Sequence, residues 1–256
     1  MALGLAPWLR CCGLAMPRQL RLGVAQPVSF VGDLEATVAS HVDLLRGLAA
    51  EVVLFPELSL TGYDMAADAV DPNDLRLEPL VDACTEASLV ALVGAPTRTR
   101  DGNGRHLSVL AVGHGGVETV YAKQFLGGDE PAHFTPGSEP VVFEVKGVRL
   151  GVAVCKDTGV LEHAAAVAGL GMDVYAAGVC EAECDRAEQP ARAARVAQDH
   201  GVWVAYASFA GPTGGGFTET AGRSAVIDPD RRVRLNLPRG AGHAGWTTIV
   251  VNDGTG

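Results

Sequence analysis

Along the chain the spacing of apolar residues changes period several times, and each change marks an element. From Leu20 to Gln26 apolar positions alternate as in a strand. Gly32 and Asp33 then open a helix whose apolar residues fall at 34, 38, 42, 45 and 49. Glu51 to Phe55 is a short β-branched strand, Leu75 to Ala87 a second helix, and Ser88 to Pro96 another strand. Asp101-Gly-Asn-Gly predicts a hairpin turn into Leu107 to Val112, and Gly113-His-Gly-Gly a turn into Val117 to Tyr121. Lys146-Gly147 separates strands at Val141 to Val145 and Val148 to Val154. A helix near Leu161 to Leu170 precedes a strand at Asp173 to Val179, and a helix over Glu188 to His200 precedes one at Val202 to Ser208. Strands at Ser224 to Asp228, Arg232 to Leu235 and Thr247 to Val251 complete the chain.

Strands alternate with helices, but hairpins interrupt the alternation, which excludes a purely parallel doubly wound sheet. Runs such as Val52 to Phe55 and Gly151 to Cys155 are apolar throughout, so both faces of those strands are expected to be covered. The fold class that follows is α/β, with mixed sheets packed on each other and helices outside. With no internal repeat and no Ser- or Pro-rich linker, residues 16–256 are expected to form a single domain. Residues 1–15 place Arg10 inside the apolar stretch and lack a cleavage site, so they are read as a disordered extension rather than a secretory signal.

Composition narrows the function classes. Apolar residues make up 48% and charged residues 20%, which excludes a disordered chain. The most apolar window, Leu161 to Cys180, is broken by Glu162, His163 and Asp173, so no membrane span is expected. A net charge of −10 without a basic run argues against a nucleic-acid partner. The six cysteines, at 11, 12, 84, 155, 180 and 184, show neither zinc spacing nor a disulfide framework, and a cytoplasmic setting is expected.

Three strand ends each deliver one reactive group. Glu57 follows Val52-Val-Leu-Phe-Pro, Lys123 follows Val120-Tyr-Ala, and Cys155 closes Gly151-Val-Ala-Val. Taken singly, these read equally as a loop acid, a surface lysine and a core cysteine. Cys155 at a strand-to-helix turn is also expected to lie near a helix N-terminus, where a thiolate is favoured.

Taken in order, these segments resemble the carbon–nitrogen hydrolase (nitrilase) superfamily. The likeness runs from Leu20 to Val251 and rests on Phe55-Pro-Glu-Leu-Ser-Leu-Thr-Gly-Tyr63, on Tyr121-Ala-Lys123 followed by Glu130, Phe134 and Gly137, and on Cys155-Lys-Asp157. The resemblance implies a four-layer α-β-β-α sandwich paired into a homodimer or higher homo-oligomer, with no metal and no organic cofactor. It implies Glu57, Lys123, Cys155 and Glu130 as the catalytic set. Cys155 would attack an amide carbonyl, Glu57 would move the proton, and Lys123 with the Lys156 backbone N–H would hold the oxyanion. Glu130 would hold Lys123 or the attacking water. The expected activity is hydrolysis of a small linear amide through a thioester. An N-carbamoyl amide hydrolase using the same residues is the alternative; an acyltransferase or a silent binding member ranks below it.

Lys156 departs from the pattern, because relatives that hydrolyse nitriles carry Trp there and many amidases Tyr or Phe. It is read as a substrate contact or, equally, as a salt-bridge partner of Asp157, Glu162 or another subunit. Tyr63 and His133 are also expected to touch substrate. His200 is read as a helix C-terminal residue, and Glu181 and Glu183, between Cys180 and Cys184, as a solvated loop or a site for an amine.

Overall fold

The computed structural model describes residues 17–252, so the expected extension over residues 1–15 lies outside it. The elements run β1 Arg18–Gln26, α1 Leu34–Leu45, β2 Val52–Leu54, α2 Glu78–Ala87, β3 Val90–Arg98, β4 Arg105–Gly113, β5 Gly116–Ala122 and β6 Val142–Val145. They continue with β7 Val148–Val154, α3 Leu161–Gly169, β8 Val174–Val179, α4 Glu188–His200, β9 Trp203–Ser208, β10 Ala225–Ile227, β11 Val233–Asn236 and β12 His243–Val251.

These strands form two six-stranded sheets, ordered β12-β1-β2-β3-β4-β5 and β11-β10-β9-β8-β7-β6. In the first sheet β1, β2 and β3 are parallel, and in the second β7, β8 and β9 are. Helical crossovers join the parallel strands, hairpins add β4, β5, β6 and β11, and β12 returns to pair antiparallel with β1.

Side-chain alternation sorts the core into three slabs. In β7, Val148, Leu150, Val152 and Val154 face the space between the sheets, while Ala153 faces α3 and α4. In β8, Val174 and Ala176 point inward and Tyr175, Ala177 and Val179 outward. In the other sheet Leu20, Leu22 and Val24 of β1 enter the central slab, whereas Val53 of β2 and Ala91 and Val93 of β3 pack against Val38, Val42 and Leu45 of α1 and Leu80 and Cys84 of α2. The result is the four-layer α-β-β-α sandwich. Each fully buried Val or Leu contributes about 1.5–3 kcal/mol relative to exposure, so the two-residue period is strongly enforced.

Three expectations need adjustment. The first helix stops at Leu45 rather than 49, because Arg46 turns extended (ψ 119°). The last strand begins at His243 rather than Thr247, since β12 pairs with all nine residues of β1, with Trp246, Thr248 and Val250 exposed along one face. A 3-10 turn, Cys155–Gly159, separates β7 from α3, so Cys155 is not at the N-terminus of an α-helix. No helix among the described residues is long and apolar enough to cross a membrane.

Candidate active site

Glu57 owes its place to the turn after β2. Phe55 N–H still bonds Leu92 O of β3 (2.9 Å), then Pro56 turns the chain, and Leu58 adopts φ +52°. The turn passes between the two sheets with almost no clearance. A Cβ added at Gly94 of β3 would stand 2.3 Å from Leu58 N, and one at Gly178 of β8 would stand 2.7 Å from Phe55 O. Only glycine lets both sheets approach the backbone that carries Glu57. Ser59 adds a second anchor, its hydroxyl accepting from Gly94 N–H (3.2 Å) and meeting His41 Nε2 (3.1 Å).

Lys123 follows β5, its N–H donating to Leu107 O at 2.7 Å. Its side chain is buried, and Nζ donates to Glu57 Oε1 and to Glu130 Oε1, both at 2.7 Å. Glu130, buried in a 3-10 turn, is held in turn by the Tyr63 hydroxyl on Oε1 (2.8 Å) and by Gly127 N–H on Oε2 (2.8 Å). The other Glu57 oxygen, Oε2, is buried and has no hydrogen-bond partner. Burial alone would discharge Lys123, but Glu57, Cys155 and Glu130 outweigh it and hold the ammonium well above its ordinary range. Burial pushes the Glu57 carboxyl up to about 7, with Lys123 opposing and Glu130 adding to the rise.

Cys155 takes φ +39°, a strained backbone for a residue with a side chain. Its thiol lies 3.6 Å from Cys180 O. Burial and then Glu57 push the thiol well above its ordinary range, with Lys123 opposing. This corrects the expectation of a helix-stabilised thiolate: the resting group is a thiol beside a carboxylate, and it needs a base.

Asp157 ties the nucleophile's turn to the lysine's loop. Its Oδ2 accepts from Val154 N–H and Tyr121 O–H, and its Oδ1 from Phe125 N–H, each at 2.9 Å. With the Tyr121 proton on Asp157, His163 Nε2–H donates to Tyr121 (2.9 Å) and Tyr175 O–H donates to His163 Nδ1 (2.8 Å). On the far side Thr158 O–H bonds Cys155 O (2.7 Å), and α4 reaches the turn through Gln189 and Arg195.

Glu57, Lys123, Glu130 and Cys155 therefore meet at one place, where the carboxyl ends of β2 and β7 face the end of β5. Tyr63 is near them, and its hydroxyl donates to Glu130, so it orients that carboxylate. His133 is exposed at the end of the turn that begins with Glu130. Lys156 is exposed and pairs with neither Asp157 nor Glu162. Glu181 is engaged by Arg192 (2.7 Å), Cys184 is exposed, and His200 ends α4 ahead of Gly201. The sequence reading missed Ser59, Gly94, Gly178 and the Tyr121–His163–Tyr175 chain. Only the Tyr of Tyr121-Ala-Lys123 carried a signal for any of them. Among the described residues no group of three or more His, Cys, Asp or Glu could hold a metal ion.

Comparison with known proteins places this geometry among relatives. The carbon–nitrogen hydrolase family matches residues 21–249. Over 92% of its length the chain is 29% identical to a glutamine-dependent NAD(+) synthetase of Xanthomonas campestris pv. campestris, of which it covers 47%. Over 54% of its length it is 29% identical to an (R)-stereoselective amidase of a Pseudomonas species, covering 48% of that protein. The chain thus spans under half the length of these curated relatives. Among solved structures, XC1258 of Xanthomonas campestris, a CN-hydrolase superfamily protein with an arsenic adduct in its active site, superposes with TM-score 0.80 at 20% identity over 91% of both chains. A mutant amidase of Nesterenkonia sp. AN1 in complex with butyramide superposes with TM-score 0.74 at 23% identity, over 94% of this chain and 93% of that one.

Proposed function

The chain belongs to the carbon–nitrogen hydrolase family, and from that premise we propose that it hydrolyses a small linear amide to a carboxylate and ammonia or an amine, through a thioester on Cys155. The observation that carries this reading is the division of labour at Glu57. One carboxylate oxygen is fixed by Lys123, and the other is buried, unpartnered and beside a thiol that requires a base.

The steps follow from those contacts. The Cys155 proton passes to Glu57 Oε2 as sulfur attacks the carbonyl carbon. Charge develops on the carbonyl oxygen. An ammonium has three donors, and Lys123 spends two on Glu57 and Glu130, leaving the third for this oxygen. The Lys156 N–H, second in its 3-10 turn and without an acceptor inside it, is the other donor. A donor of this kind is worth about 10²–10³ in kcat. Glu57 returns its proton to the leaving nitrogen, the C–N bond breaks, and the thioester remains. Water then gives a proton to Glu57 and its oxygen to the acyl carbon. The carboxylate leaves, and the thiol regains its proton. Glu130, with both its carboxylate oxygens engaged, keeps Lys123 in register throughout.

The Pseudomonas amidase supports an amide substrate. The likeness to glutamine-dependent synthetases, over under half their length, favours a second reading in which the amide is that of glutamine and ammonia is the product used. Ammonia release from butyramide, succinamate, glutamine and an N-carbamoyl amino acid separates these readings from the carbamoyl alternative. Release that persists in Cys155→Ala would remove the mechanism.

A further inference from the structure

The peptide between Cys155 and Lys156 has two polar ends, and the mechanism above uses only its N–H. The other end, Cys155 O, accepts from the Thr158 hydroxyl at 2.7 Å. A threonine bond to a carbonyl three residues back is a common local contact. What sets this one apart is what stands behind it. Thr158 is 2% exposed, and Gln189 of α4, itself 3% exposed, meets the same hydroxyl at 3.0 Å.

The direction of these bonds follows from a count of protons. A hydroxyl carries one proton, and at 2.7 Å from a carbonyl oxygen that proton must lie between the two. Thr158 therefore accepts from Gln189, whose amide turns its nitrogen toward the hydroxyl. In the opposite orientation that nitrogen is buried without an acceptor. A directed chain thus runs from the Gln189 amide through the Thr158 hydroxyl to Cys155 O, from α4 into the turn that carries the nucleophile.

Three consequences meet at the Lys156 N–H. The peptide is trans and planar, so holding its carbonyl also sets the direction of the N–H on the other side. Cys155 keeps φ +39° only because its surroundings hold it there, and the Thr158 bond is one of those restraints. A donor on the carbonyl also polarises the amide and strengthens its N–H as a donor.

We infer that Thr158 and Gln189 are positioning residues of the oxyanion site, which aim the Lys156 N–H at the developing charge through the peptide they hold. The reaction this serves rests on the amide-hydrolysis reading, but the aim of the N–H can be tested without turnover. Acetaldehyde, propanal and butanal add reversibly to a thiol. Sulfur bonds the carbonyl carbon, the thiol proton passes to Glu57, and the former carbonyl oxygen takes the charge. Iodomethane also needs the thiol and Glu57, but iodide leaves and no oxygen gains charge. Protection of Cys155 from iodomethane, read by mass on its peptide, gives the aldehyde affinity. The methylation rate without aldehyde reports the nucleophile and its base alone.

A misaimed donor costs less than a missing one, so Thr158→Val should lower the affinity for the best-bound aldehyde about ten- to a hundredfold, with the methylation rate kept within about threefold. For an amide that is turned over, kcat should fall with that affinity while KM holds. Thr158→Ser, which keeps the hydroxyl, should recover most of the loss. Gln189→Met should lower the affinity less and with the same selectivity, and it carries the test if Thr158→Val does not fold. A selective loss of affinity in a protein that hydrolyses no amide would remove the amidase reading and leave the positioning role standing. Unchanged affinity, a methylation rate that falls as far as the affinity, or no protection of the wild type by any of the three aldehydes overturns the positioning role even where amides are turned over.

Discussion

Gly94→Ala tests the positioning of the base, because its new methyl would meet backbone and no flexible side chain. The added Cβ would lie 2.3 Å from Leu58 N, 2.6 Å from Pro56 O and 2.9 Å from Glu57 C, where ordinary contact begins at 3.4 Å. The turn would have to recede by about 1 Å. The opposite side is also tight, since a Cβ added at Gly178 of the other sheet would stand 2.7 Å from Phe55 O and 3.0 Å from Glu57 N. Overpacking of this kind costs about 1–3 kcal/mol, a fall in Tm of about 2–4 °C for each kcal/mol in a domain of this size. The catalytic effect is larger in proportion. A 1 Å displacement of a reacting group costs about a hundredfold in rate, or about 2.7 kcal/mol of barrier. Gly113→Ala is the control, since its Cβ would meet neighbours only at 3.5 and 3.7 Å. The assay is kcat at saturating amide, with thermal melting and iodoacetamide labelling of Cys155 to show that the fold and the nucleophile's turn persist. Gly94→Ala should lose about a hundredfold in kcat and Gly113→Ala less than twofold. A soluble Gly94→Ala protein with kcat within twofold of wild type would refute the argument.

The base should also set the pH profile. Glu57 must be ionised to take the thiol proton, and its carboxyl is raised to about 7. The ionised fraction therefore falls as pH drops, and kcat/KM should lose about tenfold per unit below 7 and level off above it; a profile flat from pH 5.5 to 8 would contradict this. Lys123→Met leaves two buried carboxylates without their cation. It should cost about 3–5 kcal/mol in thermal or denaturant unfolding and at least a hundredfold in kcat. Its stability deficit should narrow as pH falls and the carboxyls take up protons, whereas a deficit that widens would point to a different origin.

What the sequence made legible was set by local periodicity and strand ends. The alternation Val148, Leu150, Val152, Val154 against Ala153 identifies β7 and its two covered faces, because one residue's slip would turn the large set toward the helices and leave Ala153 facing the space between the sheets. Glu57, Lys123 and Cys155 were found because each stands within three residues of the end of such a strand. The protonation of Cys155 was misjudged because what raises the thiol, burial first and then Glu57 from the other sheet, is set by the packing of the two sheets. The task of Tyr63 was hidden for the same reason: its partner Glu130 is 67 residues away. Gly94 and Gly178 read as ordinary strand glycines until the turn between them is seen. Lys156 stood out by type, and the absence of a pair with Asp157 became visible only once the three hydrogen bonds that hold that carboxylate were in view.

The claim on which everything turns is that an acyl group passes through Cys155. Protein mixed with an amide it turns over, quenched in acid and digested, should carry one acyl group on the peptide containing Cys155, lost on treatment with hydroxylamine. The adduct and the ammonia should both be absent from Cys155→Ala, whose melting temperature should remain close to that of wild type. Acylation at Cys84, Cys180 or Cys184 instead, with amide hydrolysis surviving in Cys155→Ala, would contradict the account.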